Sequence, residues 1–169
     1  NILRYFSDKP GAVIVKNNNP CGVALAASLE DAYLKANMAD RVAAFGGCIA
    51  LNRTVDRATA EAIVQQYAEV VVAPEFEQGV MEIFATKKNL RVIKIGNIER
   101  LQSFVGQRCV EFKSLIDGGF IAQWSFVPAG RRRQDLKLAE CDYKGTLYRI
   151  RREPTDKEYE DMLFGWLVI

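Results

Sequence analysis

Between residues 12 and 95, short runs of β-branched and small apolar residues alternate with stretches of helical periodicity. Runs 12–15 and 48–51 read as short buried strands, 70–73 as a third strand stopped by Pro74, and 90–95 as a fourth. Ser28 followed by Asp31 resembles a capping box. It opens a helix to about Met38 with Leu29, Ala32, Tyr33 and Ala36 on its inner face. Asp56 is a good N-cap for a helix over 57–67, and 76–85 reads as helical despite Gly79. Strands alternating with helices argue an α/β fold, a sheet with much parallel pairing and helices packed on its faces. Asn17-Asn18-Asn19-Pro20 reads as a tight loop and Gly46-Gly47 as a turn.

From about Leu101 the texture changes. Strand-like pieces at 109–113, 120–126, 136–143 and 147–150 are punctuated by Gly118-Gly119, Pro128-Ala129-Gly130 and Lys144-Gly145. This predicts a β-rich extension of antiparallel hairpins on a compact α/β body. Thr155 and Glu158 then form a T-x-x-E capping box, ahead of an apolar face made by Met162, Leu163, Trp166 and Leu167. The chain opens on Asn1 and stops on Leu167-Val168-Ile169 without a helix stop signal, which reads as a piece of a longer chain.

Composition removes several classes of function. There is no histidine, which excludes Ser-His-Asp and Cys-His catalysis, His-ligated zinc and a histidine general base within these residues. The net charge of +2 is too small for binding nucleic acid or an anionic membrane through bulk charge. The basic run Arg131-Arg132-Arg133 reads as a solvated loop. No apolar stretch reaches the ~18 residues of a membrane-spanning helix, and no leader pattern opens the chain. A cytoplasmic protein without nucleic-acid or membrane partners is expected. Cys21, Cys48, Cys109 and Cys141 contain no C-x-x-C pair. Free thiols are the favoured reading, ahead of structural zinc or a catalytic cysteine. Pro20-Cys21 resembles the start of the Pro-Cys-x-x-Cys of zinc deaminases, but Ala24 stands at the second cysteine and no His-x-Glu exists, so no metal is expected.

In open α/β sheets ligands bind outside the carboxyl ends of the strands. Three segments are candidates: 16–22 after the first strand, 44–47 before the second, and Glu69 and Pro74 bounding the third. Whether 44–47 reaches the same edge is left open. Lys16 ends an apolar strand, so its charged head must reach solvent or a partner. Three consecutive Asn side chains offer donors and acceptors that suit a heterocycle edge, a carboxamide or a sugar phosphate. Gly46 permits close backbone approach to a ligand. Plainer readings stand beside these: a turn at 17–20 and at 46–47, a solvated strand end at Lys16, a surface ion pair at Glu69.

The string A-V-I-V-K-N-N-N-P-C-G-V-A over 12–24 closely resembles the V-K-H-x-N-P-C-G-V-A signature of the AICAR transformylase domain. That domain belongs to the bifunctional purine-synthesis family that also carries IMP cyclohydrolase. Residues 43–53 are similar to the family's S-A-F-G-G-x-x-A-L-N-R, and 69–74, 87–91, 118–123, 152–155 and 163–166 resemble further family strings in order. The resemblance implies a cytidine-deaminase-like layered sheet with flanking helices, without zinc, and with the β-rich C-terminal extension. Residues 1–150 would form the first of two such subdomains, and 151–169 would begin a helical link to the second. The family's R-Y-G-x-N-P-H-Q and S-N-A-I motifs do not occur in residues 1–169.

The implied reaction transfers a formyl group from 10-formyltetrahydrofolate, a co-substrate, to the 5-amino group of AICAR, giving FAICAR in de novo purine biosynthesis. The implied assembly is a homodimer. In the family a Lys-His pair does the catalytic work. Lys16 matches the lysine, and Asn17 stands at the histidine. Asn17 and Asn19 would hydrogen-bond the AICAR carboxamide or imidazole. Phe45, Gly46 and Glu69 fall on substrate-binding positions. An amide orients a group but accepts no proton near neutral pH. Three explanations stand open: a divergent transformylase with another base, a non-catalytic ribonucleotide-binding paralogue, or a deliberate replacement. A structural fragment without a competent pocket is the alternative of a different class.

Overall fold

A hairpin opens the sheet of the computed structural model, which describes residues 2–127, 132–136 and 139–168. Strands β1 (Gly11–Lys16) and β2 (Asn19–Leu25) pair antiparallel across the two-residue turn Asn17-Asn18. Both asparagines have positive φ, 51° and 67°, as a type I′ turn requires. This corrects the reading of 17–20 as a tight loop, because Asn19 and Pro20 already belong to a strand. Proline is tolerated there because β2 is an edge strand, with one ladder to satisfy.

Strand β3 (Gly47–Leu51) pairs antiparallel with β1 and parallel with β4 (Ala68–Ala73), which pairs parallel with β5 (Arg91–Lys94). The order is β2-β1-β3-β4-β5. The sheet is mixed, and the expected parallel pairing holds in the β3-β4-β5 half.

Helices α1 (Leu29–Ala39), α3 (Arg57–Val64) and α4 (Val80–Ala85) share one core with the strands. Ser28 Oγ accepts from Asp31 N at 3.1 Å, and Asp56 Oδ1 accepts from Thr59 N at 2.7 Å, as the capping patterns predict. The inner face expected for α1, Leu29, Ala32, Tyr33 and Ala36, is buried. Ala12, Ile14, Ile49, Leu51, Val71 and Ala73, alternate residues of three strands, belong to the same core. A Cβ on Gly22 would stand 1.9 Å from Ala36 O, so the backbone of α1 lies directly on β2.

Three local expectations are revised. The third helix ends at Val64, not Tyr67, because strand pairing takes the chain from Ala68 onwards. The fourth begins after Gly79, whose φ of 87° lies outside helical space, while Phe76 bridges to Val55. Cys48 is exposed, so the strand over 48–51 is buried on one face only. A single helical turn, α2 (Arg41–Ala44), capped by Asp40, precedes β3 and was not foreseen.

The N-terminal segment is held by Asn52. Its Nδ2 donates to Phe6 O at 2.7 Å and Lys9 O at 2.9 Å, and its Oδ1 accepts from Gly11 N at 2.7 Å.

Residues from Gly106 onwards form a second compact unit. It contains two antiparallel hairpins, β6 (Val110–Ser114) with β7 (Phe120–Trp124) and β8 (Glu140–Tyr143) with β9 (Thr146–Arg149). The expected hairpins are therefore present. The strand expected from 136 begins at Glu140, after a 3-10 turn at Arg133–Asp135. Helix α5 (Asp156–Val168) carries the predicted capping box: Thr155 N donates to Glu158 Oε2 at 2.7 Å and Glu158 N to Thr155 Oγ1 at 3.3 Å. Of its apolar face Met162 and Trp166 stay exposed. The turn expected at 128–130, Arg131 of the basic run, and the terminal Asn1 and Ile169 lie outside the described residues. Among the described residues no helix is long and apolar enough to cross a membrane.

Candidate functional site

The antiparallel pairing of β1 with β3 decides where the candidate residues meet. It sets the carboxyl end of β1 beside the amino ends of β3 and β4, with Val15 opposite Cys48 and Gly47 opposite Ala68. Segment 44–47 therefore reaches the edge that holds Lys16, and Glu69 joins them. Pro74 closes β4 at the other end of the sheet. The expected convergence of carboxyl ends is corrected accordingly: at this edge only β1 presents one.

Lys16 is not a solvated strand end. Its Nζ donates to Gly46 O at 3.0 Å, tying the two segments together. Gly46 N in turn donates to Tyr67 O at 2.8 Å. Gly46 has φ +69°, and a Cβ there would stand 3.0 Å from Lys16 Nζ and 3.3 Å from Tyr67 Cε1. Backbone conformation and crowding both select glycine.

Phe45 and Tyr67 flank this glycine with ring centroids 5.3 Å apart. Both rings reach solvent, Phe45 at 62% exposure and Tyr67 at 41%. Such an exposed aromatic pair offers a face to a flat ligand. Tyr67 was missed in the sequence, where only its place two residues before Glu69 hints at the role.

Glu69 is the extra residue of a bulge, since Gly47 pairs with Ala68 and Cys48 with Val70. Bulges re-aim side chains at strand ends. Glu69 is half-buried, and among the described residues none pairs with its carboxylate, against the surface ion pair considered for it. Asn17, Asn18 and Asn19 are exposed on the hairpin turn, with Asn19 Nδ2 donating to Asn17 O at 3.3 Å. The turn reading is thus correct for Asn17 and Asn18, and it presents their carboxamides to solvent next to Lys16.

Cys21 does not look reactive. It occupies the other bulge, between the Ile14–Gly22 and Val15–Pro20 pairs, and its Sγ donates to Ile14 O at 3.5 Å. Burial pushes its thiol pKa up, opposite to the activation of a nucleophile. All four cysteines are free thiols. Among the described residues no three His, Cys, Asp or Glu side chains lie close enough to share a metal ion.

One edge thus gathers a fixed ammonium, a half-buried carboxylate, exposed amides and two aromatic rings. Amides and carboxylate match the polar rim of a heterocycle, the rings its face, and the ammonium an adjoining negative charge. This defines an α/β protein with a candidate small-molecule site at a sheet edge.

The whole chain, residues 1–169, matches the family of the AICARFT/IMPCHase bienzyme, and the chain belongs to that family. It is 36% identical over 99% of its length to the bifunctional purine biosynthesis protein PurH of Caldicellulosiruptor saccharolyticus. The identity is 38% over 99% of the chain to PurH of a Thermoanaerobacter species. To PurH of Clostridium perfringens it is 40% over 92% of the chain. The matched region spans 29%, 29% and 27% of those three proteins, respectively.

Proposed function

We propose that the chain contributes to purine biosynthesis as part of an AICAR transformylase, transferring the formyl group of 10-formyltetrahydrofolate to the 5-amino group of AICAR. The observation that carries this reading is the 3.0 Å bond from Lys16 to Gly46, which joins the two most distinctive family strings at one edge. In the transfer, the amine nitrogen bonds to the formyl carbon and the bond from that carbon to folate N10 breaks. The amine loses a proton and N10 gains one. Lys16 steadies the negative charge that develops on the formyl oxygen. Asn17 and Asn19 hydrogen-bond the carboxamide or imidazole. Phe45 lies against the ring, Gly46 lets the ligand approach the backbone, and Glu69 accepts hydrogen bonds from the substrate.

Asn17 stands where the family has histidine, and its amide takes no proton. We read the chain as a divergent transformylase whose proton acceptor is a group other than residue 17. Residues 1–150 belong to a cytidine-deaminase-like subdomain in this reading, with 151–169 starting the link to a second. A cytoplasmic homodimer is its setting. The same Asn17 favours one other reading, a paralogue that binds the ribonucleotide without turnover.

The test is formyl transfer by the full-length protein with AICAR and 10-formyltetrahydrofolate, beside Asn17→His and Lys16→Ala variants. Turnover by the parent that Lys16→Ala abolishes supports the transformylase. An inert parent that gains activity with Asn17→His supports the binding paralogue. Unchanged AICAR affinity in both Lys16→Ala and Glu69→Ala sinks the site assignment altogether.

A further inference from the structure

At the opposite end of the sheet, β3 and β4 present their carboxyl ends, and there a cavity of about 540 Å³ opens. That volume lies within the ~300–1,000 Å³ of small-molecule pockets. Carboxyl ends of parallel strands are where open α/β sheets commonly take ligands. The residues following those strands, Asn52 to Thr54 and Pro74 to Glu75, form its floor. Leu3 and Phe6, in and just after one 3-10 turn, and Ile98 and Leu101 of another supply an apolar wall.

Two guanidinium groups, Arg4 and Arg53, line the same cavity with Ser7, Thr54 and Gln102. Its only lining carboxylate, among the described residues, is Glu75, which is bound by Lys94. The charge of the described lining is therefore positive. Arg53 is held in place: it donates to Asn52 O at 3.0 Å and, through its other terminal nitrogen, to Ser7 O. These bonds use two of the five N–H donors a guanidinium carries. Arg4 donates from one terminal nitrogen to Tyr5 Oη at 2.9 Å, while its Nε is buried without a partner among the described residues. A buried donor with no acceptor is costly, and an oxyanion would satisfy it.

We propose that this cavity is a binding site for a small organic anion. Its carboxylate or phosphate head would meet Arg4 and Arg53, and its apolar body would lie against Leu3, Phe6, Ile98 and Leu101. The residues involved are separate from those of the Lys16 edge, so the proposal does not depend on the transformylase reading.

The experiment titrates the full chain with benzoate, phenyl phosphate and neutral benzyl alcohol, following the backbone amide resonances of Ser7, Thr54 and Gln102. The expected result is saturable shifts with at least one anion and binding of benzyl alcohol at least about tenfold weaker. Arg4→Gln, with its unfolding midpoint as a control, weakens the anion by about tenfold, the usual scale of one charge-assisted hydrogen bond. Tighter phenyl phosphate assigns a phosphomonoester, and tighter benzoate an organic acid. Three results overturn the proposal: no saturable shift with either anion, equal binding of benzyl alcohol, or shifts confined to residues outside the cavity. If Arg4→Gln does not fold, the comparison of charged with neutral probe on the unaltered chain decides alone.

Discussion

Asn52 and the Asn17–Asn19 cluster lie at opposite ends of one sheet and use the same amide chemistry in opposite ways. Asn52 is buried, and its donors and acceptor are engaged by Phe6, Lys9 and Gly11. Asn17 and Asn18 are exposed, in a backbone conformation that suits a tight turn. One asparagine fastens the chain to itself. The others present amides to whatever arrives beside Lys16. Polar groups that are satisfied internally argue for stability, and polar groups left open at a glycine-lined edge argue for a ligand.

The strongest way to break that contrast is to remove Asn52. Asn52→Leu keeps bulk but removes the acceptor of the buried Gly11 N–H and the donor to the carbonyls of Phe6 and Lys9. A buried group that loses its partner costs on the order of 1–3 kcal/mol, so a loss of about 1–3 kcal/mol is expected. Urea unfolding measures it through a lowered midpoint. The matched change on the turn, Asn17→Gly, keeps φ > 0 accessible and should move the midpoint little. Equal effects of the two variants would erase the distinction.

Glu69 sharpens the same contrast at the edge itself. Its carboxylate has no partner among the described residues, so Glu69→Gln should change stability by no more than about 0.5 kcal/mol. Its affinity for AICAR should nevertheless fall about tenfold, the worth of one hydrogen bond to a charged group. Calorimetric titration reads the affinity and thermal unfolding reads the stability. A large stability loss with unchanged affinity would make Glu69 a structural residue.

Much of this arrangement is legible in the sequence. The caps at Ser28, Asp56 and Thr155 and the buried face of α1 follow from local rules, because capping and helical periodicity involve residues only a few positions apart. What escaped was set by register. The hairpin after Lys16 reads as a loop because Asn-Asn and Pro are turn residues, and nothing local tells an edge strand from a connection. That one strand reverses the direction of β1 relative to β3 and decides which ends meet. The bulge at Glu69 and the ring of Tyr67 beside Gly46 are likewise products of pairing between distant segments. Asn52 was visible only as one letter of a family string, since its partners lie more than 40 positions upstream.

Carboxylates divide as the amides do, and the smallest predicted effect tests that division. Glu158 is the satisfied counterpart of Glu69. It accepts from both terminal nitrogens of Arg152 at 2.7 Å and from Thr155 N at 2.7 Å. The Arg152 hydrogen bonds, with those from Thr155, lower its pKa from 4.5 to about 2. A carboxylate whose folded pKa is depressed stabilises the folded state above its unfolded pKa and loses that contribution as pH falls through the folded value. The capping contribution to α5 should therefore persist at pH 5 and fade between about 4.5 and 2. Because the side chain is 45% exposed and solvent screens the pair, the effect belongs to the first turn of α5 and not to global stability. Carbon-detected NMR titration of the Glu158 carboxyl would show a midpoint near 2, and Arg152→Gln should move it back towards 4.5. A midpoint already near 4.5 in the unaltered chain would mean that the ion pair and cap do not hold in solution, and Glu158 would then be as uncommitted as Glu69.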